Sequence, residues 1–171
     1  MDILDAIKGR RSIRRFRSTP LPASLIGTLE DSLLDAPTAG NLQSRRFCFV
    51  FREETRKRLA EAGFQQDFIA EAPLAVVCCA DLLTAEQYGE RGKSLYCLQE
   101  VSASIQNLML AAHSLGLGTV WVGAFDEKRV SGILNLPDHL RPVAIVPVGY
   151  PDESPPRPRR LPKEELIVHL S

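Results

Sequence analysis

The stretch from Glu100 to Leu115 does most to limit how this chain can fold. Beyond Glu100 it carries no charged side chain when His113 is neutral, and Ser102, Ala103, Ser104, Ala111 and Ala112 keep it slim. A helix with so little polar surface is central rather than peripheral. The spacing predicts it over Leu95–Leu115, stopped by Gly116 and Gly118. The covering layers come from the apolar runs. Arg46–Arg52 and Leu74–Ala80 read as strands buried on both faces, with further strands at Thr119–Val122 and Arg141–Val148. Helices are expected over Ser24–Ala36, with Ser24 as N-cap, over Glu53–Ala62, over Phe64–Glu71, and from Asp126 to about Leu136. Strands separated by helices imply an α+β or α/β sandwich with the long helix packed on the sheet. The 171 residues suffice for one domain, residues 1–171, and show no internal repeat.

Two segments stand apart. Asp81–Lys93 is polar, holds Gly89 and Gly92, and reads as an irregular, mobile segment that serves as a substrate lid. From Pro151 to Pro162 five of twelve residues are proline, which predicts an extended arm. Leu166–Leu170 is expected to add an edge strand, and its apolar side chains bury most easily against a second subunit.

The polar chemistry concentrates near the N-terminus. Arg10–Arg17 reads Arg-Arg-Ser-Ile-Arg-Arg-Phe-Arg, five arginines in eight residues, directly after the amphipathic segment Asp2–Gly9. Guanidinium groups bind phosphate through paired, charge-assisted hydrogen bonds. On composition alone the cluster reads equally as a solvated basic surface or an RNA-binding patch. Lys plus Arg equals Asp plus Glu, 21 each, and that balance argues against a dedicated nucleic-acid binder. The loop Ala36–Gln43 offers Thr38, Asn41 and Gln43 as hydrogen-bonding side chains, which could equally stabilise their own loop. Cys48, Cys78, Cys79 and Cys97 lack metal spacing and read as reduced thiols of a cytoplasmic protein. The start Met-Asp-Ile-Leu-Asp does not read as a signal peptide, since it is acidic where a positive n-region is expected, and no apolar run reaches membrane-spanning length. Arg15 and Arg17 read as surface charges, Trp121 and Phe125 as core or pocket wall, and His113 as a helix-face residue without chemistry.

Four motifs in order carry a resemblance. Arg10–Phe16 is similar to the Arg-Arg-Ser-x-Arg-x-Phe motif of the nitroreductase family of flavoproteins, and Ala36–Gln43 to that family's Ala-Pro-Ser-Ala-x-Asn-x-Gln loop. Gln106–Ala112 with Leu115–Thr119 resembles its central helix and glycine turn, and Val148–Pro151 with the proline-arginine arm resembles its C-terminal end. The resemblance implies an α+β three-layer sandwich, a mixed central sheet flanked by helices with an extended C-terminal arm. It implies a homodimer holding FMN at the subunit interface, with NADH or NADPH as reductant. Arg10, Arg11, Ser12, Arg14 and Arg160 would hold the phosphate and ribityl end. Thr38, Asn41 and Gln43 would reach the flavin from the partner subunit, with Gln65 nearby and Val122, Gly123 and Ala124 under the flavin edge. The family's loop often continues Pro-Trp where this chain has Ser44-Arg45, which opens a pocket wall and makes Ser44 and Arg45 candidates for tuning the acceptor. Glu100 replaces a frequent aspartate and reads as structural.

The implied reaction passes a hydride from NAD(P)H through flavin N5 to a nitroaromatic, quinone or related small acceptor by a ping-pong mechanism. Neither a nucleic acid nor a membrane is implied as partner. No catalytic side chain and no metal site is assigned, as suits a chain whose cofactor carries the chemistry. The alternatives are a same-fold enzyme acting on flavin or a halogenated aromatic, and a flavin-binding protein without turnover.

Overall fold

All eight residues of the segment Leu74–Asp81 are buried. A strand with no wet face needs a layer on each side, and the computed structural model, which describes residues 1–170, supplies both. In chain order the elements are α1 (Ile3–Gly9), α2 (Ala23–Leu34), β1 (Arg45–Val50), α3 (Glu53–Ala62), α4 (Phe68–Glu71), β2 (Leu74–Asp81), α5 (Leu82–Ala85), α6 (Gly89–Arg91), α7 (Cys97–Ser114), β3 (Gly118–Thr119), α8 (Glu127–Leu134), β4 (Leu140–Gly149) and α9 (Lys163–Leu166).

The sheet runs β1-β2-β4-β3, and every adjacent pair of these strands is antiparallel. Its mixed character comes from one parallel bridge, Ser12 to Thr119, where the N-terminal segment joins the edge. Alternation along β2 splits the core in two. Leu74, Val76, Cys78 and Ala80 pack with Leu29 and Leu33 of α2 and with Val101, Ile105 and Leu108 of α7. Ala75, Val77 and Cys79 pack on the other side with Leu59 of α3, Ile69 of α4 and Val130 of α8. Each fully buried branched side chain contributes about 1.5–3 kcal/mol. The register slips between Cys78 and Cys79, opposite Ala144 and Pro142, where a strand can absorb a residue without an N–H.

Several local expectations shift for physical reasons. The N-cap of α2 is Pro22, not Ser24: Pro22 sits at φ −68° and its carbonyl accepts the N–H groups of both Leu25 and Ile26. Helix α4 starts only at Phe68, because Phe64 and Gln65 take left-handed φ of 57° and 61°. The segment after Asp81 is not irregular. It winds through short helical turns and a π-turn over Gly92–Tyr96 into α7. Residues 166–170 form no edge strand. Pro162 followed by Lys163-Glu164-Glu165 starts the short helix α9 instead, and Leu166, Ile167, Val168 and Leu170 lie exposed. The four cysteines are free. Hydrogen bonding from Cys79 lowers the Cys48 thiol to about 7, against the opposing effect of burial. Among the described residues no helix is long and apolar enough to cross a membrane.

Glu100 is the polar anchor of α7. It is 4% exposed. Its Oε1 accepts the Ala39 N–H at 2.9 Å, and its Oε2 accepts the Ser44 N–H at 2.9 Å and the Ser44 hydroxyl at 2.7 Å. Beside it, buried Arg45 donates to Ser104 Oγ and to the Leu34 carbonyl, both at 2.7 Å. Burial lowers the Arg45 pKa, and the Glu100 charge acts the other way. Ser44 and Arg45 are therefore internal struts, and Arg45 also lines a shallow pocket with Leu34, Gln43 and Phe47. Glu100→Ala strands three donors in the interior and should cost about 3–5 kcal/mol. Urea unfolding of the variant checks this.

Candidate functional site

Helix α1 ends at Gly9, and the basic segment begins as its cap. Arg11 folds back, and its Nη1 donates to the carbonyls of Lys8, Gly9 and Arg10 at 2.7, 2.9 and 2.9 Å. That cation satisfies orphan carbonyls at the negative end of the helix. The chain then runs between two neighbours. The Ile13 N–H donates to the Thr119 carbonyl of β3 at 2.9 Å, and the Arg17 N–H donates to the Tyr150 carbonyl at 2.9 Å. Phe16 bridges Pro151, and the Asp152 N–H donates to the Arg15 carbonyl at 2.9 Å. A side chain at Gly118 would meet Ile13 Cγ1 at 2.8 Å, so the close approach of the two segments depends on that glycine.

A cavity of about 310 Å³ opens at this junction, its wall including Gly9, Arg10, Arg11, His113, Thr119 and Glu153. Arg10 is its most telling group. Its Nη1 is buried, with no hydrogen-bond partner among the described residues. Burial lowers its pKa, and the nearby charges of Arg160 and Arg11 lower it further. A half-buried cation among cations, with a buried donor unfilled, is a site for an anion. His113 had read as a bystander on its helix; here it lines the same cavity. Burial and then the charges of Arg10 and Arg11 push its pKa down.

The other candidates fall into separate places. Ser12 is bridged to Thr119 beside the cavity but does not line it. Arg14 is exposed outside the wall, its backbone N–H bonded to the Glu153 carboxylate. Arg160 lies on the exposed arm and contributes charge to Arg10. Thr38, Asn41 and Gln43 lie on the loop that Glu100 anchors and do not line the arginine cavity. There they bond one another: the Gln43 N–H donates to Thr38 Oγ1 at 3.3 Å, and Gln43 Nε2 to the Asn41 carbonyl at 3.4 Å. Gln65 is exposed at the left-handed turn. Its neighbour Gln66 makes the connection instead, with Nε2 donating to the carbonyls of Gly63 at 2.7 Å and Ala124 at 3.0 Å. Val122 is buried and bridged to Ile145, and Gly123 and Ala124 follow it into solvent. One chain thus holds three separate clusters: the arginine cavity, the 38–43 loop and the 122–124 turn. His113, Gln66 and Glu153 are the members that sequence reasoning missed. A faint signal existed for the first, since His113 stands on the last turn before the Gly116 stop.

The nitroreductase family model matches residues 7–66 and 61–150. The chain is 33% identical over 196 residues to a protein of Thermus thermophilus named NADH dehydrogenase, covering 98% of this chain and 96% of that one. It is 30% identical over 177 residues to a Bacillus subtilis protein named FMN reductase (NADPH), covering 95% of this chain and 71% of that one. Among solved structures, the NADPH:FMN oxidoreductase from Vibrio harveyi complexed with NAD+ superposes with a TM-score of 0.91 at 25% identity, over 99% of this chain and 77% of that one.

The unpartnered guanidinium makes a prediction of opposite signs. Arg10→Ala removes a half-buried cation whose buried Nη1 has no partner, so the ligand-free variant should melt no lower than wild type. Inorganic phosphate should raise the melting temperature of wild type, by about 2.7 kcal/mol of stability at a hundred times its Kd, and leave the variant unmoved. Equal shifts in a thermal-melt series would show that Arg10 does not partner the anion.

Proposed function

Because the chain belongs to the nitroreductase family, we propose that it is an FMN-dependent NAD(P)H oxidoreductase whose arginine cavity holds the phosphate of the cofactor. The observation that carries this reading is the buried, unfilled Nη1 of Arg10 beside Arg11, within the field of Arg160. A terminal phosphate brings about two negative charges and three strong acceptors, which suits that donor set. FMN, when bound, supplies the redox chemistry: it takes a hydride from NAD(P)H and passes the electrons to an oxidised acceptor.

The chain's own residues bind and orient. Arg10 fills its free donor on the phosphate. Arg11 keeps Nη1 on the carbonyls of α1 and offers its remaining nitrogens to the cavity. Thr119 and Ile13 fix the backbone on which Ser12 stands. Gln66 holds the Ala124 carbonyl and so fixes the exposed backbone of Gly123 and Ala124, which would meet the ring of the cofactor. Tyr88 packs on Gly40 of the 38–43 loop, where any Cβ would collide with its hydroxyl. The turns from Leu82 to Tyr96 are therefore coupled to that loop and are placed to select the acceptor, a nitroaromatic or a quinone. The Bacillus relative named FMN reductase (NADPH) favours free flavin as a second acceptor class.

The working unit is a homodimer in this reading. Thr38, Asn41 and Gln43 do not reach the arginine cavity of their own chain, so they serve the cofactor of a partner. The surfaces for such a partner are the exposed Ile3, Leu4 and Ile7 of α1 and the exposed Leu161, Leu166, Ile167, Val168 and Leu170 of the arm. Clustered apolar residues of this kind mark association surfaces.

Stopped-flow reduction of the purified yellow protein tests the assignment. NADH or NADPH should bleach the flavin, and reoxidation by an acceptor should follow as an independent half-reaction. Steady-state double-reciprocal plots should be parallel, because nucleotide and acceptor occupy one space in turn. Bound flavin that neither nucleotide reduces would refute the oxidoreductase reading. Truncation after Tyr150 should leave material without flavin and without the dimer in size-exclusion chromatography. A flavin-loaded truncated monomer would refute the dimer.

A further inference from the structure

We propose that His113 is part of the phosphate site and takes up a proton as the cofactor phosphate enters, so that cofactor affinity rises as pH falls; this rests on the FMN reading above. The placement is specific. His113 stands on the last turn of α7 and shares the cavity wall with Arg10 and Arg11. Its ring meets the end of α1 edge-on with Nε2 foremost: a Cβ at residue 9 would come within 2.6 Å of His113 Nε2 but 3.6 Å from its two ring neighbours. Glycine is found where the imidazole needs the room, and Nε2 is the ring atom nearest the turn from which Arg10 and Arg11 project.

The charged groups facing this ring come from three directions. Arg10 and Arg11 come from the end of α1, with Met1 on the same wall. Glu153 comes from the root of the arm, and Arg160 acts on the cluster through Arg10. On α7 itself the neighbours Ala111, Ala112 and Ser114 are uncharged.

In the ligand-free protein, burial, Arg10 and Arg11 disfavour the imidazolium. A phosphate dianion reverses the sign of that local field, and an opposite charge close by favours the charged form. The pKa of His113 is then lower in the ligand-free protein than in the complex. Between those two values, binding draws in one proton. Affinity gains as pH falls through the higher value and stops gaining below the lower one. Phosphate loses its own second charge near pH 6, which weakens binding in the opposite sense. The histidine contribution is therefore read as a difference between variants.

The test follows FMN release on dilution of the holoprotein, by recovered flavin fluorescence, from pH 8 to pH 6. Wild type is compared with His113→Gln and Arg10→Ala. The expected result is that wild type gains affinity over His113→Gln by about threefold or more across this range, one full pKa unit being worth about tenfold. Riboflavin, which has no phosphate, should show no such difference. Parallel pH profiles of wild type and His113→Gln, with Arg10→Ala weakened, would overturn the role of His113 alone. An Arg10→Ala protein that holds FMN as tightly as wild type would overturn the phosphate-cavity reading beneath it. Imidazole nitrogen NMR on wild type gives a reading that needs no variant. The pKa of His113 should be higher with FMN than without, and equal values overturn the proposal.

Discussion

The fold depends on a strand that has no access to water. Because β2 is buried on both faces, α2 and α7 must cover one side and α3, α4 and α8 the other. Most polar chemistry is then pushed to the margins of the sheet. The edge beyond β3 is where this matters. There the sheet is narrow enough for the N-terminal segment to join it through a single bridge at Ser12, and the root of the arm closes over that segment from the other side. Arg11 and Arg17 have partners of their own there, while Arg10 keeps one buried donor free.

Two charges in this protein, buried Glu100 and half-buried Arg10, make an instructive contrast. Glu100 has three donors on its carboxylate and a guanidinium nearby, and it ties a loop to the central helix. Arg10 has an empty donor and two like charges for company. The first arrangement resembles a finished interior network, in which removing any member is costly. The second is unfinished until an anion arrives. Electrostatic cost of this kind, confined to one cavity, is the physical mark of a binding site rather than of a structural ion pair.

Much of this was legible in the chain. The helix Glu53–Ala62 has the bounds its pattern gives, and the apolar runs around β1, β2 and β4 are strands within a residue or two. Pattern and capping are local, so they can be read locally. The arginine cluster declared itself by composition. What stayed hidden depends on the third dimension. The left-handed pair Phe64–Gln65 moves the contact with Ala124 one residue along, to Gln66. Ser44 and Arg45 look like loop polarity until α7 brings Glu100 and Ser104 to them. His113 looks inert on a helical wheel, because the charges that face it come from residues a hundred positions earlier in the chain. Leu166–Leu170 are apolar enough for a strand, but they follow the short helix α9 and lie exposed away from the sheet.

The pairing of β2 also bears on how the chain reaches this structure. Its partner β4 begins only at Leu140, after the whole of α7 and α8. A sheet whose central pair is so far apart in sequence closes late, since loop entropy must be overcome before the contacts can reward it. Until then Leu74–Ala80, a run without charge, proline or glycine, has one side of its backbone unpaired and its faces covered only in part. That is the composition from which cross-β aggregates grow. During synthesis, the segment that later makes the centre most secure is the one that most needs shielding from other copies of itself.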